Sequence, residues 1–241
     1  MVFQEPMAAL NPLHRVGDQV AEPLRIHRGW SRRRARDEAR ALLERVGIAD
    51  AARRMDGYPH EFSGGQRQRI CIAMALACGP DLLVADEPTT ALDTEVQAQI
   101  LALLAELVAE RGMALLLISH DLAVVAQHTT NMLVMYGGTV VEAGPTQEVF
   151  ARMAHPYTRG LLAARPVLGS NAGARAALRP PLPTIAGSVP PLHALPPGCP
   201  FAGRCAFTIE ACNVAPPPTV DLGHGHRVRC IRPEAMAGHA P

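Results

Sequence analysis

Leu82-Leu83-Val84-Ala85-Asp86-Glu87-Pro88 sets four apolar residues ahead of two carboxylates and a proline. A short apolar run without polar alternation, Leu82 to Ala85, predicts a parallel strand covered on both faces. Downstream, Thr94 to Arg111 has helical period. Ile100, Leu103, Leu104, Leu107 and Val108 share one side, Thr94 and Gln97 stand at capping-box spacing, and Gly112 is the stop. Ala114 to Ile118 reads as a second buried strand. Met132–Tyr136 and Thr139–Glu142, joined by Gly137-Gly138, predict a two-residue hairpin that Gly144-Pro145 closes. Strand, helix and strand in this order predict an α/β domain with a parallel sheet in three layers.

Upstream, Met1 to Gly79 is helical in pattern, with turns at Asn11-Pro12 and Gly47. Its clearest helix starts at Ser31 as N-cap and carries Ala35, Ala39, Leu42, Leu43 and Val46 on one face. Six Arg and no acid lie between Arg25 and Arg36; an anionic partner would suit them, but the simpler reading, a solvated helix face, is preferred. Downstream, nine Pro between Pro166 and Pro200 predict a linker or an extended wrapping segment, followed by a short tail holding four of the six Cys. Three segments result: 1–79, helical; 80–154, α/β; and 155–241, Pro-rich with a Cys-containing module.

With 241 residues, 48% of them hydrophobic, the chain can bury a sizeable core, which excludes disorder throughout. No run approaches the roughly 18 apolar residues of a membrane-spanning helix, and Met1 to Pro12 lacks a secretory layout, so the expectation is a cytoplasmic protein. A net charge of +1 offers no global field for nucleic acid. All 23 basic residues are Arg. Any chemistry that needs an ammonium side chain must therefore draw it from residues outside these 241.

Phe62-Ser63-Gly64-Gly65-Gln66 opens a helical run through Ile70, Ala73, Met74 and Ala77. Two glycines at a helix start admit a ligand to the backbone, and the free N–H groups attract an anion. Arg67 and Arg69 in that first turn oppose the dipole, which favours a nearby polyanion or acidic partner, although surface pairing would also suffice. Asp86 and Glu87 stand where a strand leaves its sheet; one can hold Mg²⁺ while the other accepts a proton from water, or both can cap a solvated terminus. Ser119-His120-Asp121 ends the second strand, so His120 can reach the same crevice and donate to a phosphoryl oxygen. Gln4 follows Met1-Val2-Phe3, which reads as the end of a third strand, and its amide could orient a metal or water.

In this order Gln4, Ser63 to Gln66, Asp86-Glu87-Pro88, Ala91-Leu92-Asp93 and His120 strongly resemble the nucleotide-binding subunits of ABC transporters, over Met1 to about Ala164. The resemblance implies a P-loop NTPase (RecA-like) sheet with a helical subdomain. It also implies roles: Q-loop glutamine for Gln4, signature motif for Ser63, Gly64, Gly65 and Gln66, Walker B aspartate for Asp86, catalytic glutamate for Glu87, D-loop for Asp93 and switch histidine for His120. His155-Pro156-Tyr157-Thr158, Ile185 to Pro191 and Gly198-Cys199-Pro200-Phe201-Ala202-Gly203-Arg204-Cys205 resemble the C-terminal region of oligopeptide and dipeptide importer ATPases, a subgroup that also includes nickel and glutathione transporters. Cys199, Cys205, Cys212 and Cys230 are separated by five, six and seventeen residues, without the close pair of a zinc ribbon, and in a reducing compartment four thiolates suggest a metal centre. The resemblance implies an iron–sulfur cluster; zinc, with His224 or His226 replacing one Cys, is the runner-up. Cys71 and Cys78 read as core.

Such subunits carry a P-loop upstream of the Q-loop, yet Gln4 is almost the first residue here and no Lys exists. The expectation is a misplaced start or a gene fragment, rather than a genuine half-site protein, with part of the sheet left uncovered. The implied activity is ATP hydrolysis with Mg²⁺ between two nucleotide-binding subunits that drive membrane permease subunits, served by a solute-binding protein, at the cytoplasmic face of the membrane. The alternative is a non-hydrolysing partner that lends only its signature motif to a neighbour's ATP site. A soluble ABC ATPase of DNA repair or translation would have no use for the importer-type tail.

Overall fold

The computed structural model describes residues 1–165 and 183–236, in two compact units, Met1–Val124 and Val125–Pro241. The first part of the Pro-rich stretch, 166–182, lies outside the described residues.

In the first unit, α1 (Pro6–Ala9), α2 (Val16–Arg28), α3 (Arg32–Arg45), α4 (Ala51–Arg54) and α5 (Gly64–Leu76) precede β1 (Leu82–Asp86), α6 (Thr94–Arg111), β2 (Ala114–Ile118) and the start of α7 (Leu122–His128). Ser31 caps α3, its Oγ accepting from Arg34 N–H at 3.4 Å, and Ala35, Ala39, Leu42 and Leu43 bury the inward face. The helix ends in a Schellman turn: Gly47 takes φ +80°, and Ile48 N–H donates to the Leu43 carbonyl at 2.9 Å. Asp93, rather than Thr94, caps α6, accepting from Val96 N–H at 2.9 Å. These helices, with Leu83 and Ala85 of β1, form one apolar core.

β1 and β2 pair in parallel from Leu82↔Ala114 to Asp86↔Ile118, with α6 as crossover, and Val2 bridges Ala85 on the other edge. The expectation of a fully buried second strand is corrected. Leu116 and Ile118 are 47% and 43% exposed, as is Leu82 at 51%, because no element of this unit covers that face. Within this unit the helices pack on the Leu83 and Ala85 side of the sheet, which is one of the two covered faces of a three-layer domain.

The second unit contains β3 (Asn131–Tyr136), β4 (Thr139–Pro145), α8 (Thr146–Arg152), α9 (Pro156–Ala163), β5 (Val220–Asp221) and β6 (Arg227–Val228). Gly137 and Gly138, at φ +55° and +76°, make the tight turn of the expected hairpin, and the antiparallel order is β3-β4-β6-β5. Its core joins Met132, Val134, Tyr136, Val141, Val149 and Phe201, with the Tyr136, Tyr157 and Phe201 rings 4.8 to 5.4 Å apart. Beneath them Glu142, 1% exposed, accepts from Ala154 N–H (2.6 Å) and His155 N–H (3.1 Å) and meets His226 Nε2 at 2.8 Å.

His155 gives this unit a pH dependence with a definite sign. It is 1% exposed, its Nδ1 accepts the Tyr157 N–H that starts α9 (3.1 Å), and burial lowers its pKa from 6.5 to about 4. Between these values the unfolded chain binds the extra proton. Stability is therefore complete above pH 6.5 and falls as pH drops toward 4, by about 3 kcal/mol in all. His155→Asn keeps an N-cap acceptor without a titrating ring. The variant is expected to lose that much less stability than wild type between about pH 7 and about pH 4, measured by denaturant unfolding; parallel losses would contradict the assignment.

Candidate functional site

Two clusters hold the first unit's chemistry-bearing residues. Val2 N–H donates to the Val84 carbonyl (2.8 Å) and Asp86 N–H to the Val2 carbonyl (3.0 Å), so the segment ending in Gln4 runs beside β1 and emerges at the same end. Glu87 N–H donates to the Ile118 carbonyl at 2.9 Å, tying the two strand ends together. The Glu87 carboxylate then collects three partners: Gln4 Nε2 at 2.9 Å, Thr90 Oγ at 2.8 Å and His120 Nδ1 at 3.2 Å. Donation from Thr90 and His120, with a smaller share from Gln4, holds Glu87 below the usual carboxylate range against the opposing effect of burial. Its backbone sits at φ +43°, a left-handed conformation that a non-glycine residue keeps only when its surroundings fix it.

Gln4, Glu87 and His120 thus come together, and Thr90 joins them. A hydroxyl three residues beyond a carboxylate in a Pro-containing turn was the available signal for Thr90, and many ordinary turns share it. Asp86 stands alongside, half-buried, its carboxylate without a hydrogen bond among the described residues. The side chain of His120 is 74% exposed and can turn toward a ligand while Glu87 stays put. Chemically this is a carboxylate ionised at neutral pH, flanked by donors and by a free hard oxygen donor suited to a divalent cation.

The second cluster is the start of α5. Ser63 and Gln66 form a capping box: Ser63 N–H donates to Gln66 Oε1 at 3.1 Å, and Gln66 N–H to Ser63 Oγ at 3.4 Å. Ser63 and Gly64 are exposed. A Cβ on Gly65 would lie 2.6 Å from Val96 Cγ1, so this glycine is required by the packing of α5 against the start of α6. Asp93 is occupied as the α6 cap. Arg67 and Arg69 lie against their own unit rather than an acid: Arg67 Nε donates to the Pro59 carbonyl (2.7 Å) and an Arg69 terminal nitrogen to the Val46 carbonyl (2.8 Å). Among the described residues no hydrogen bond or ion pair links this cluster to Glu87.

In the second unit Cys199, Cys205, Cys212 and Cys230 are free thiols lining one cavity of about 20 Å³ with Phe201, Phe207 and Ile231. The spacing therefore brings them together, but among the described residues no three His, Cys, Asp or Glu side chains are arranged to hold a metal ion. Neither zinc nor an iron–sulfur cluster is supported. Burial, reinforced by the neighbouring sulfurs, holds the Cys199 and Cys230 thiols above the usual thiol range. His226 is committed to Glu142, and neither it nor His224 lines the cavity. Cys71 is core, as expected, with burial pushing its thiol up to about 12.

Comparison with known proteins agrees with both halves of this description. Residues 1–90 match the ABC transporter family, and residues 141–212 match the oligopeptide/dipeptide transporter C-terminal region. A protein of Brucella melitensis named as a peptide import ATP-binding protein is 54% identical over 237 residues, covering 98% of this chain and 70% of that one. One from Brucella abortus, similarly named, is 50% identical over 230 residues, covering 95% and 67%. Among solved structures, an ATP-binding cassette dimer in a post-hydrolysis state with ADP and Pi superposes at TM-score 0.53 with 32% identity, over 60% of this chain and 61% of that one. CbiO1 of Clostridium perfringens, part of the ABC transporter complex CbiONQ, gives 0.55 and 32%, over 63% and 59%. The chain thus spans less than two thirds of these cassettes and about 70% of the Brucella melitensis relative. It belongs to the ATP-binding subunits of ABC transporters, in the branch that carries the oligopeptide/dipeptide transporter C-terminal region.

Proposed function

We propose that this chain forms the catalytic and signature parts of an ATP-hydrolysing subunit that powers an oligopeptide or dipeptide importer, attached to permease subunits at the cytoplasmic face of the membrane. The observation that carries the proposal is the convergence of Gln4, Thr90 and His120 on Glu87. Ionised and aimed by these donors, Glu87 takes a proton from a water whose oxygen bonds to the γ-phosphorus of ATP as the bond to the ADP oxygen breaks. His120, exposed beside it, donates to a phosphoryl oxygen on which charge accumulates. Asp86, whose carboxylate has no hydrogen bond among the described residues, and the Gln4 amide are the residues that would hold Mg²⁺, which when bound neutralises phosphate charge. The exposed N-terminus of α5 at Ser63 and Gly64 serves the γ-phosphate of the ATP held by an opposing subunit. The P-loop lysine comes from residues outside these 241, on the same polypeptide or another. The peptide cargo is supported by the names of the Brucella relatives and by the C-terminal match.

Division of each site between two subunits is testable with a P-loop segment joined upstream of Met1. Ser63→Arg and Glu87→Gln proteins should each be nearly inactive. Mixing them in equal amounts should restore about a quarter of wild-type ATP turnover, because half the dimers then contain one intact site. No recovery on mixing would defeat the shared site. Turnover by an intact partner stimulated by the 241-residue chain, with Glu87→Gln as effective as wild type, would favour the half-site alternative.

A further inference from the structure

The corner between α2 and α3 has a composition that the ATP site does not explain. Residues 25–34, Arg-Ile-His-Arg-Gly-Trp-Ser-Arg-Arg-Arg, contain five Arg and no acid, and all are exposed except Trp30, which is half-buried. Two of the arginines are used internally: Arg28 donates to the Cys78 carbonyl, and Arg34 lies 3.9 Å above the Trp30 ring. Arg25, Arg32 and Arg33 have neither a hydrogen bond nor an ion pair among the described residues. The nearest acids in sequence, Glu22, Asp37 and Glu38, form no ion pair with them.

Helix electrostatics accounts for one side of the corner only. Arg25, His27 and Arg28 end α2, where the dipole favours cations. Arg32, Arg33 and Arg34 fill the first turn of α3, where the dipole favours acids and no acid is present. Three adjacent positive charges on a positive helix end repel one another, and an external anion would relieve that repulsion. Beside them Ile26 is 67% exposed, while Trp30 packs in part against the core with Arg34 over its ring, so the corner presents an aliphatic side chain and the free part of an indole next to the guanidinium groups. The same combination lies at bilayer surfaces, where cations meet headgroup phosphates and the apolar side chains settle at the acyl boundary.

We infer that this corner docks on the anionic surface of a lipid bilayer, with Arg25, Arg32 and Arg33 on headgroup phosphates and Ile26 and Trp30 at the interface. A nucleic acid fits less well. One face of Trp30 is covered by Arg34 and cannot stack a base, and Ile26 would gain nothing beside a phosphate chain. The docking surface stands independently of the ATP reading, since none of its residues belongs to either cluster described above.

The test uses the whole 241-residue chain, whose only Trp is Trp30. Vesicles of phosphatidylglycerol mixed with phosphatidylcholine should bind it at low salt and shift the Trp30 emission to the blue. Phosphatidylcholine vesicles should do neither, and added salt should reverse the binding. The triple variant R25Q/R32Q/R33Q should partition about a hundredfold more weakly, three charges each contributing about fivefold near such a surface. These side chains are exposed and make no hydrogen bond or ion pair among the described residues, so its thermal unfolding should match wild type, and Ile26→Ser should reduce the blue shift. The inference is overturned if anionic vesicles leave Trp30 unchanged or neutral vesicles bind equally well. It is equally overturned if the triple variant binds like wild type, or if inorganic phosphate or a short DNA duplex alone reproduces the shift.

Discussion

Glu87→Gln, in the chain joined to a P-loop segment, is expected to lower ATP turnover by about 10²–10⁴-fold, the range for removal of a positioned proton acceptor. Nucleotide affinity should barely move, because the change is isosteric and acts on the water. The remaining amide oxygen can accept from both Gln4 and Thr90, which donate to a single carboxylate oxygen, Oε2. The amide nitrogen then faces His120 Nδ1, and the left-handed turn at Glu87 keeps its hydrogen bond to the Ile118 carbonyl. Loss of turnover with retained binding is thus assignable to proton transfer rather than to collapse of the loop. The pH profile supplies a second check. Because its partners lower the Glu87 pKa from 4.5, the carboxylate is ionised at every pH above that value, so protonation of Glu87 should not limit turnover there. Turnover in Glu87→Gln equal to wild type, measured by phosphate release at saturating ATP, would remove Glu87 from the chemistry.

How much of this was legible depends on whether a feature is local. α3 and α6 could be read because an apolar stripe, a cap and a glycine stop all lie within one segment. The Gly137-Gly138 hairpin was equally plain, since its turn demands positive φ at both positions. The gathering of Gln4, Glu87 and His120 could be anticipated because each follows an apolar strand, and parallel strands place such ends on one edge. β2 misled: a continuous apolar run predicts two covered faces, but whether a layer exists to cover the second is not a property of the run. The cysteines misled differently. Spacing brought four sulfurs to one cavity, but whether three such side chains are arranged to hold a metal ion is a matter of tertiary geometry, and among the described residues none are. The pairing of Glu142 with His226 left no trace in the sequence, where His226 reads as a substitute zinc ligand. The two are 84 positions apart, and β5 and β6, two residues each, are too short to show a period.

That hidden pair carries the largest stability effect expected in the second unit. Glu142→Ala should destabilise it by about 3–5 kcal/mol, since several buried hydrogen-bonding groups lose their acceptor at about 1–3 kcal/mol each. The lost carboxylate leaves the Ala154 and His155 N–H groups without acceptors at the step into α9, and strips His226 Nε2 of its contact. The Nδ1 of His226 already has no partner among the described residues, so the ring would become wholly unsatisfied in a site with 0% side-chain exposure. Glu142→Gln should fall between, since an amide oxygen can serve one or two of the three donors. In a double-mutant cycle, pairing Glu142→Ala with His226→Phe should restore part of the loss, because the unsatisfied imidazole then disappears with its partner. Hydrogen exchange at the Ala154 and His155 amides reads the effect locally, while denaturant unfolding followed through Tyr136 and Tyr157 reads it for the unit. Slow exchange at both amides in Glu142→Ala, with an unfolding midpoint like that of wild type, would mean that the carboxylate is not what fixes the tail to the hairpin.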